Sequence, residues 1–370
     1  MPENLDDNID IKTDNSESNA VLNDESDVAK EASTSANSFA LNLASVESKT
    51  PDEIKQRFAK AYNDLNREFS KVFVGQAELK LGVLVALFSG GHALVESVPG
   101  LGKTLFASVL GRTLGCKFGR VQFTPDLMPS DVVGAPVFDM KTQEFNFRPG
   151  PIFTQILLAD EINRAPAKTH SALLEAMQEG AATVDGVTHQ LPSPFFVIAT
   201  QNPIESEGTY RLPEAQVDRF MFKLLVDYPS EEEEIKILQN HGKRVDVKEK
   251  LASVQPVLSA DEILFLRDKI NDVYVAPQLF DYVNKIVRAT RGFPRIAFGA
   301  SPRAGLALVQ GARTLAVFQG RGFATPDDVV KLVAPALRHR VVLSPEAEIE
   351  GRTADEIIAA LVRSIPAPRM

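Results

Sequence analysis

The sequence is poor in the residues that build metal clusters and disulfide frameworks. It contains one cysteine, Cys116, and five histidines that are scattered without the spacing of zinc ligands. A single cysteine excludes an internal disulfide framework and is typical of a reducing compartment, so we expect a cytoplasmic protein. Cys116 itself is expected to be a small buried apolar residue rather than a reactive thiol.

Long apolar runs are also missing. No stretch of about 18 apolar residues occurs, which is the length at which a membrane-spanning helix becomes a candidate. The first residues, MPENLDDNID, have neither the basic nor the apolar segment of a secretory signal. We therefore expect no membrane insertion and no secretion. Hydrophobic residues still make up 44% of the 370 residues, enough for the cores of two structured domains.

The sequence has fewer basic than acidic residues, and most of this difference lies in residues 1–50. Of the formal net charge of −9, residues 1–50 contribute −8, from eleven acidic side chains against three lysines. This segment is rich in serine and asparagine, so we predict a disordered acidic tail. Its short apolar stretch, residues 39–43, is interpreted as a spacer or as a docking motif. The rest of the chain is close to neutral, whereas a nucleic-acid motor usually has a basic excess, so nucleic acid is not expected as a partner.

Residues 92–104, HALVESVPGLGKT, have the order of a phosphate-binding loop: a short apolar strand, a glycine-rich turn and a helix start. The backbone N–H groups of such a turn point at a β-phosphate, and the helix that begins at Lys103 adds the positive end of its dipole. The Lys103 ammonium is expected to reach the β- and γ-phosphates, and the Thr104 hydroxyl to hold Mg²⁺. Taken alone, the segment also fits a strand, turn and helix with a chance GKT.

The glycines of this loop depart from the full G-x-x-x-x-G-K-[ST] pattern at one position. Ser97 stands where the pattern has its first glycine. Gly100 and Gly102 stand where the backbone approaches phosphate most closely, so the part of the pattern that contacts the ligand is complete.

Two further predicted strands are each followed by polar residues. The apolar run at residues 156–159 leads into Asp160 and Glu161, and the run at residues 195–200 leads into Asn202. Ligands of parallel α/β sheets bind at the carboxyl ends of the strands, so these side chains are expected beside the phosphate loop. Asp160 is predicted to bind Mg²⁺, Glu161 to activate the attacking water, and Asn202 to position that water.

Strand and helix patterns alternate up to about Asp227, which predicts a parallel α/β sheet. Two hairpins interrupt the alternation, one within residues 131–153 and one centred on the turn dipeptide Asp185-Gly186. From Ser259 onward the pattern is helical only. The predicted organisation is an acidic tail at 1–50, an α/β nucleotide-binding core at 51–228, a linker and lid start at 229–258, and an all-helical lid domain at 259–370.

In the order GLGKT, LLADEINRAP, IATQNP, LPEAQVDRF and GASPRA, the sequence resembles the MoxR group of AAA+ ATPases, in the branch with an insert in its second helix. The resemblance runs from about Val74 to the C-terminus. It implies an AAA+ P-loop domain with a small helical lid, and Mg²⁺-dependent hydrolysis of ATP in a homo-oligomeric, hexameric ring. It also implies chaperone-like remodelling of a protein client, with partners that bear a von Willebrand factor A domain.

The sequence is also compatible with other functions. Members of the same branch also include nucleic-acid motors and motor subunits of metal chelatases. A scaffold that binds ATP without turnover is a third possibility, although the complete set of strand-end polar residues argues against it.

The resemblance also assigns residues to roles. Arg219 of the DRF segment resembles an arginine finger that reaches the nucleotide of the neighbouring subunit, and Arg303 resembles a sensor arginine that contacts the γ-phosphate from the lid. With these two, the catalytic set is Glu161, Asn202, Arg219 and Arg303, and the Mg²⁺ ligands are Thr104 and Asp160. The segment expected on adenine and the phosphate loop give the nucleotide-binding residues Val74, Gly75, Gln76, Pro99, Gly100, Leu101, Gly102, Lys103, Thr104 and Leu105.

Structural alternatives remain for several polar residues. Arg219 also fits a surface salt bridge with Asp218 or Glu214, and Arg303 fits a solvent-facing residue at a helix start. Arg164 is either a neighbour of the catalytic carboxylates or a residue that fixes its loop. The remaining two are left without a decided role: Gln122, a γ-phosphate sensor or a polar residue at the core edge, and Arg211, where such proteins more often carry proline.

Overall fold

The computed structural model describes residues 50–202, 210, 212–241 and 247–369. The predicted acidic tail lies outside the described residues except for Thr50, and so does Arg211. Residues 50–370 form one compact unit. No helix among the described residues is long and apolar enough to cross a membrane.

The first part of the chain builds a sheet flanked by helices. Its elements are α1 (Pro51–Ser70), α2 (Ala77–Phe88), β1 (Ala93–Ser97), α3 (Lys103–Thr113), β2 (Phe118–Gln122), α4 (Pro129–Val133), β3 (Gly134–Asp139), β4 (Glu144–Pro149), β5 (Ile156–Asp160), α5 (Ala167–Glu179), β6 (Ala181–Val184), β7 (Val187–Gln190), β8 (Phe196–Gln201), α6 (Glu214–Val217) and β9 (Phe222–Val226).

Five parallel strands form the main sheet in the order β2-β5-β8-β1-β9. Helices cover both faces, so the central strands are continuous apolar runs, and every residue of β5 is buried. The predicted parallel α/β sheet is confirmed. Since the strands are parallel, their carboxyl ends lie at one edge, here called the carboxyl edge, and their amino ends lie at the opposite amino edge.

Both predicted hairpins are present. The β3–β4 hairpin lies between α4 and β5, and the β6–β7 hairpin turns at Asp185 and Gly186, which both have positive φ. The rings of Phe147 on β4 and His189 on β7 stack with their centroids 3.8 Å apart. Two hairpins that are about forty residues apart in sequence therefore contact each other.

The second part of the chain is mostly helical. Its elements are α7 (Glu231–His241), α8 (Val247–Ser253), α9 (Ala260–Lys269), α10 (Pro277–Ala289), β10 (Ile296–Phe298), α11 (Pro302–Phe318), α12 (Pro326–Leu337), β11 (Val342–Leu343), α13 (Pro345–Ile349) and α14 (Ala354–Arg363). The expectation of helices only after Ser259 is wrong in one detail, because β10 and β11 pair as a small antiparallel ladder.

The helical part packs on the sheet part through one hydrophobic cluster that draws residues from both. Phe88 at the end of α2 makes an edge contact with Phe318 of α11, with ring centroids 5.5 Å apart. Tyr62 of α1 stacks on the same Phe318 at 4.8 Å. The long helix α11 is therefore anchored against the core by aromatic packing.

Candidate active site

The predicted phosphate loop connects β1 to α3 at the carboxyl edge. Gly100 and Gly102 have φ values of 87° and 77°, a left-handed conformation that favours glycine. A Cβ atom at Gly100 would meet no atom within 4 Å, so the backbone conformation, rather than crowding, selects glycine there. Within the described residues, the Lys103 ammonium has no ion pair, which leaves it free for an anionic ligand.

The Ser97 departure has a structural explanation. Ser97 is the last residue of β1, and its backbone does not have positive φ. Its side chain is buried, and its hydroxyl donates to the carbonyl oxygen of Val98 at 3.2 Å. This position therefore has no need of glycine, and the loop keeps its two left-handed glycines further on.

Asp160, at the end of β5, is buried and held from both neighbouring strands. Its Oδ1 accepts from the Thr200 hydroxyl of β8 at 2.6 Å. Its Oδ2 accepts from Nη2 of Arg120 on β2 at 2.8 Å. These bonds fix the orientation of the carboxylate, whose oxygens are the kind of ligand that a divalent cation takes.

Glu161 follows in a left-handed conformation, with φ 55° and ψ 49°. Such a backbone is unfavourable for glutamate, and residues held this way cluster at active sites. The Glu161 N–H donates to the Thr200 hydroxyl at 2.9 Å, which helps to hold the turn. Its Oε2 accepts from Gln122 at 2.8 Å and from Arg164 at 3.1 Å. Gln122 and Arg164, two of the residues whose roles the sequence left open, thus contact this one carboxylate.

Asn202 comes directly after β8, which lies between β5 and β1. In the register, Ala199 pairs with Ala159 and Gln201 pairs with Glu96. Asn202 is buried at the same edge as the phosphate loop and the two carboxylates. The structure therefore brings together the three strand ends that the sequence singled out.

A cavity of about 450 Å³ adjoins the phosphate loop. Gly75 and Gln76 turn the chain beside it with φ values of 74° and 51°. One wall includes Val74, Gln76 and loop residues that the sequence assigned to the nucleotide, and the other wall is built by Tyr228, Pro229, Glu234, Ile237 and Leu238. Sequence reasoning missed this second wall. The apolar pair Ile237-Leu238, which follows the four glutamates at the start of α7, was the available indication.

Arg219 and Arg303 lie at the other edge of the sheet. The register pairs Phe222 with Ala93 at the start of β1, and the Met221 N–H donates to the His92 carbonyl oxygen. A strand of five residues spans about 13 Å, so the length of β1 separates the end of the DRF segment from the start of the phosphate loop. Arg219 and Arg303 line one cavity of about 210 Å³.

The salt-bridge alternative for Arg219 is not observed with Asp218. Asp218 binds Arg340 at 2.7 Å and lies 3.8 Å from Arg303. Arg219 is exposed and makes no ion pair with the described part of the chain. Arg303 is half-exposed one residue into α11, so the structure places it beside Arg219 and not over the phosphate loop.

Comparisons with known proteins agree with this geometry. A family model described as the ATPase family associated with various cellular activities matches residues 92–222, and a model of the AAA lid domain matches residues 288–361. Chaperone MoxR1 of Mycobacterium tuberculosis is 42% identical over 82% of this chain and 81% of its own length. The chain belongs to the MoxR-type AAA+ ATPases.

Two further relatives support the assignment. The uncharacterised protein YeaC of Bacillus subtilis is 44% identical over 86% of this chain and 97% of its own length. A crystal structure of a proposed ATPase from Cytophaga hutchinsonii superposes with a TM-score of 0.80 at 37% identity, over 89% of this chain and all of that one. The resemblance to MoxR proteins, the AAA+ fold with its helical lid and the ATPase activity of the family are confirmed.

In this MoxR-type ATPase the sequence predicted the burial of Cys116 but not the contacts of Arg340. Cys116 is buried, as predicted, and burial raises the pKa of its thiol to about 12, so it is unreactive. Arg340, which follows α12, was missed by the sequence analysis although it binds the DRF segment. Its partners are mostly backbone carbonyls, and these leave no trace in the sequence.

Proposed function

We propose that this MoxR-type ATPase hydrolyses ATP at sites shared between neighbouring copies in a hexameric ring. The observation that carries the proposal is the separation of the catalytic groups. The phosphate loop, Asp160, Glu161 and Asn202 lie at the carboxyl edge, and Arg219 and Arg303 lie at the amino edge. One nucleotide reaches both groups only if the arginines come from the next copy.

In this proposal each carboxyl-edge residue has one task. Lys103 and the loop N–H groups bind the β- and γ-phosphates. Glu161 orients and deprotonates the attacking water, and Asn202 positions the same water by hydrogen bonding. The cavity between Val74 and Leu238 takes the adenine, because it adjoins the loop and its walls are largely apolar.

Mg²⁺ is the proposed metal, and the residues present suit it. The Thr104 hydroxyl and the fixed Asp160 carboxylate are hard oxygen donors, which magnesium prefers. Magnesium bound with ATP would neutralise charge between the β- and γ-phosphates. The two residues are expected to hold the ion directly or through water.

Arg219 and Arg303 supply positive charge to the γ-phosphate of the neighbouring copy. A guanidinium keeps its charge and donates two parallel hydrogen bonds, so it stabilises the charge that develops on the phosphoryl oxygens. The shared cavity that they line supports a joint role. We assign Arg303 to the neighbour's nucleotide for the same reason as Arg219, namely its place at the amino edge.

Mixing two inactive variants tests the shared site. Arg219→Ala keeps a good pocket but lacks the finger, and Lys103→Ala keeps the finger but has a poor pocket. Because arginine fingers contribute about 10³-fold or more to turnover, mixed assemblies should regain measurable ATPase activity. The matched control mixes Lys103→Ala with Glu161→Gln, which damage the same edge and should give no recovery.

The test fails in a recognisable way. If mass photometry shows mixed assemblies and no Arg219→Ala and Lys103→Ala mixture exceeds the separate activities, the sites are not shared. If the assembly contains a number of copies other than six, only the proposed hexamer is wrong and the shared site still stands.

We further propose a chaperone-like role in the cytoplasm, in which ATP turnover remodels a protein client together with a partner that has a von Willebrand factor A domain. The similarity to Chaperone MoxR1 supports the role, and the single buried cysteine supports the compartment. The exposed apolar side chains of the β3–β4 hairpin, Met140 (83% exposed) and Phe145 (71%) among them, suit contact with a client. Cross-linking in cells with the Glu161→Gln variant should capture such a partner, and the double change Met140→Ser and Phe145→Ser should lower client capture.

A further inference from the structure

Arg340 is a buried arginine whose hydrogen-bonding capacity is completely used. Its side chain is only 3% exposed. A guanidinium has five N–H donors, and here five acceptors lie within hydrogen-bond distance. They are Asp218 Oδ1 at 2.7 Å from Nε, the Met221 and Ala336 carbonyl oxygens at 3.0 and 2.7 Å from Nη1, and the Asp218 and Phe220 carbonyl oxygens at 3.0 and 2.7 Å from Nη2.

Four of these acceptors belong to residues 218–221, which flank Arg219 on both sides. The fifth, the Ala336 carbonyl oxygen, is in the last turn of α12. The neighbouring His339 adds a hydrogen bond from its Nε2 to the Phe220 carbonyl oxygen at 3.0 Å. The backbone that carries Arg219 is thus tied to the end of a lid helix.

Asp218 extends this network to Arg303. The Ser301 hydroxyl, at the start of α11, donates to Asp218 Oδ2 at 3.1 Å. The same carboxylate oxygen lies 3.8 Å from Nη1 of Arg303. Arg340 binds the other oxygen of this carboxylate. One buried guanidinium therefore fixes both the carboxylate beside Arg303 and the backbone that carries Arg219.

We propose that Arg340 is a positioning residue that holds Arg219, and through Asp218 also Arg303, in the arrangement that a neighbouring copy's γ-phosphate meets. The proposal rests on the shared site described above. Transition-state charge is stabilised best by groups that are fixed beforehand, and a displacement of about 1 Å in a catalytic group costs about 10²-fold in rate. Arg340 touches no nucleotide and acts only through the two arginines.

The test replaces Arg340 with methionine, which keeps the length of the side chain and removes all five donors. The Arg340→Met protein should bind a fluorescent ATP analogue with unchanged affinity, because the phosphate loop is at the other edge. Its turnover should fall about 10²-fold. The matched control is Arg321→Met, which removes the two-point ion pair of Arg321 with Asp328 elsewhere in the lid and should leave turnover unchanged.

Mixing experiments separate positioning from a general structural defect. Arg340→Met mixed with Lys103→Ala should regain activity, because the Lys103→Ala copies present intact arginines to good pockets. Arg340→Met mixed with Arg219→Ala should not, because both are defective at the amino edge. A protein that is merely unstable would not reproduce the pattern of Arg219→Ala, which is recovery with Lys103→Ala and no recovery with a second amino-edge variant.

The outcomes of these experiments distinguish the role of Arg340 from the shared site. Wild-type turnover in folded Arg340→Met, or no recovery with Lys103→Ala while Arg219→Ala does recover with it, overturns the role of Arg340 and leaves the shared site standing. Failure of the Arg219→Ala and Lys103→Ala reference pair overturns the shared site and this inference with it. If Arg340→Met does not fold, Arg340→Lys, which keeps the charge near Asp218 and loses most carbonyl contacts, is judged by the same mixtures.

Discussion

Glu161 has an unfavourable left-handed backbone conformation and a side chain that is held by two hydrogen bonds. Its left-handed φ is maintained by the Thr200 hydroxyl, and its carboxylate is bound by Gln122 and Arg164. A carboxylate that is anchored in this way can hold a water in one position, which is what a general base must do. The strain and the anchoring are both explained if this residue activates the attacking water.

Replacing Glu161, the proposed base, should separate binding of ATP from its turnover. Glu161→Gln keeps the shape and the hydrogen bonds of the side chain but removes the base, so it should bind ATP and hydrolyse it at least ~100-fold slower. Lys103→Ala should instead lose much of its nucleotide affinity. Steady-state ATPase and nucleotide-binding assays on purified protein measure both, and equal turnover in wild type and Glu161→Gln would refute the assignment.

His92 makes stability depend on pH. Burial lowers its pKa from 6.5 to about 4, and its Nδ1 accepts from the Val197 N–H while its Nε2 lies 3.0 Å from the Met177 carbonyl oxygen. As pH falls, the unfolded chain takes up this proton near pH 6.5 and the folded protein only near pH 4. The free energy of unfolding should therefore fall across this window by about 3 kcal/mol from His92 alone.

Denaturant unfolding at several pH values checks this, with His92→Gln as the variant. The variant should lose less stability than the wild type between pH 6.5 and 4. The same change at the half-buried His189 is the matched control for the loss of an imidazole. Identical pH slopes in wild type and His92→Gln would show that His92 does not contribute.

At the scale of elements, α7 closes one side of the cavity next to the phosphate loop. Leu238 is 70% exposed and Tyr228 is 69% exposed although both line this cavity, so their apolar surface is available to a ligand. Covering a leucine side chain contributes roughly 1.5 kcal/mol, about tenfold in affinity.

Leu238→Ser should therefore weaken ATP binding about tenfold and leave turnover at saturating ATP close to wild type. The control is Ile349→Ser, at a still more exposed position (87%) in α13 that is not among the residues lining the cavity. Titration of a fluorescent ATP analogue gives both affinities. Equal losses in the two variants would place the adenine elsewhere.

Local patterns predicted the elements that local physics determines. Asp185-Gly186 indicated a hairpin because both residues adopt positive φ readily, and the apolar run before Asp160 indicated a buried strand. The pairing of β10 with β11 was missed because the strands have three and two residues, too few for a periodicity. Arg340 was missed because three of its five acceptors are backbone carbonyl oxygens about 120 residues away, which any residue type could supply.

For the whole molecule, the predicted tail is expected to be dispensable for the chemistry. Residues 1–50 carry most of the net negative charge and a single aromatic residue, Phe39, whereas residues from Thr50 onward form a compact unit with its own core. Deleting residues 1–49 should leave the melting temperature and basal ATPase nearly unchanged. Thermal unfolding and ATPase assays of the shortened protein test this, and a large drop in melting temperature would contradict it.

Because the phosphate loop and Arg219 lie at opposite edges, different mutations should have different effects when intact and altered chains are made in the same cell. If the sites are shared as proposed, an allele that damages one edge removes sites, in a random mixture of intact and altered chains, in proportion to its share of the chains. An allele that damages both edges in the same chain leaves working sites only as the square of the intact share, because both contributors to a site must then be intact. Alleles that damage both edges should therefore lower the activity of a mixed cell more than alleles that damage one edge. An allele confined to the carboxyl edge and an allele confined to the amino edge should complement each other when both are present in one cell.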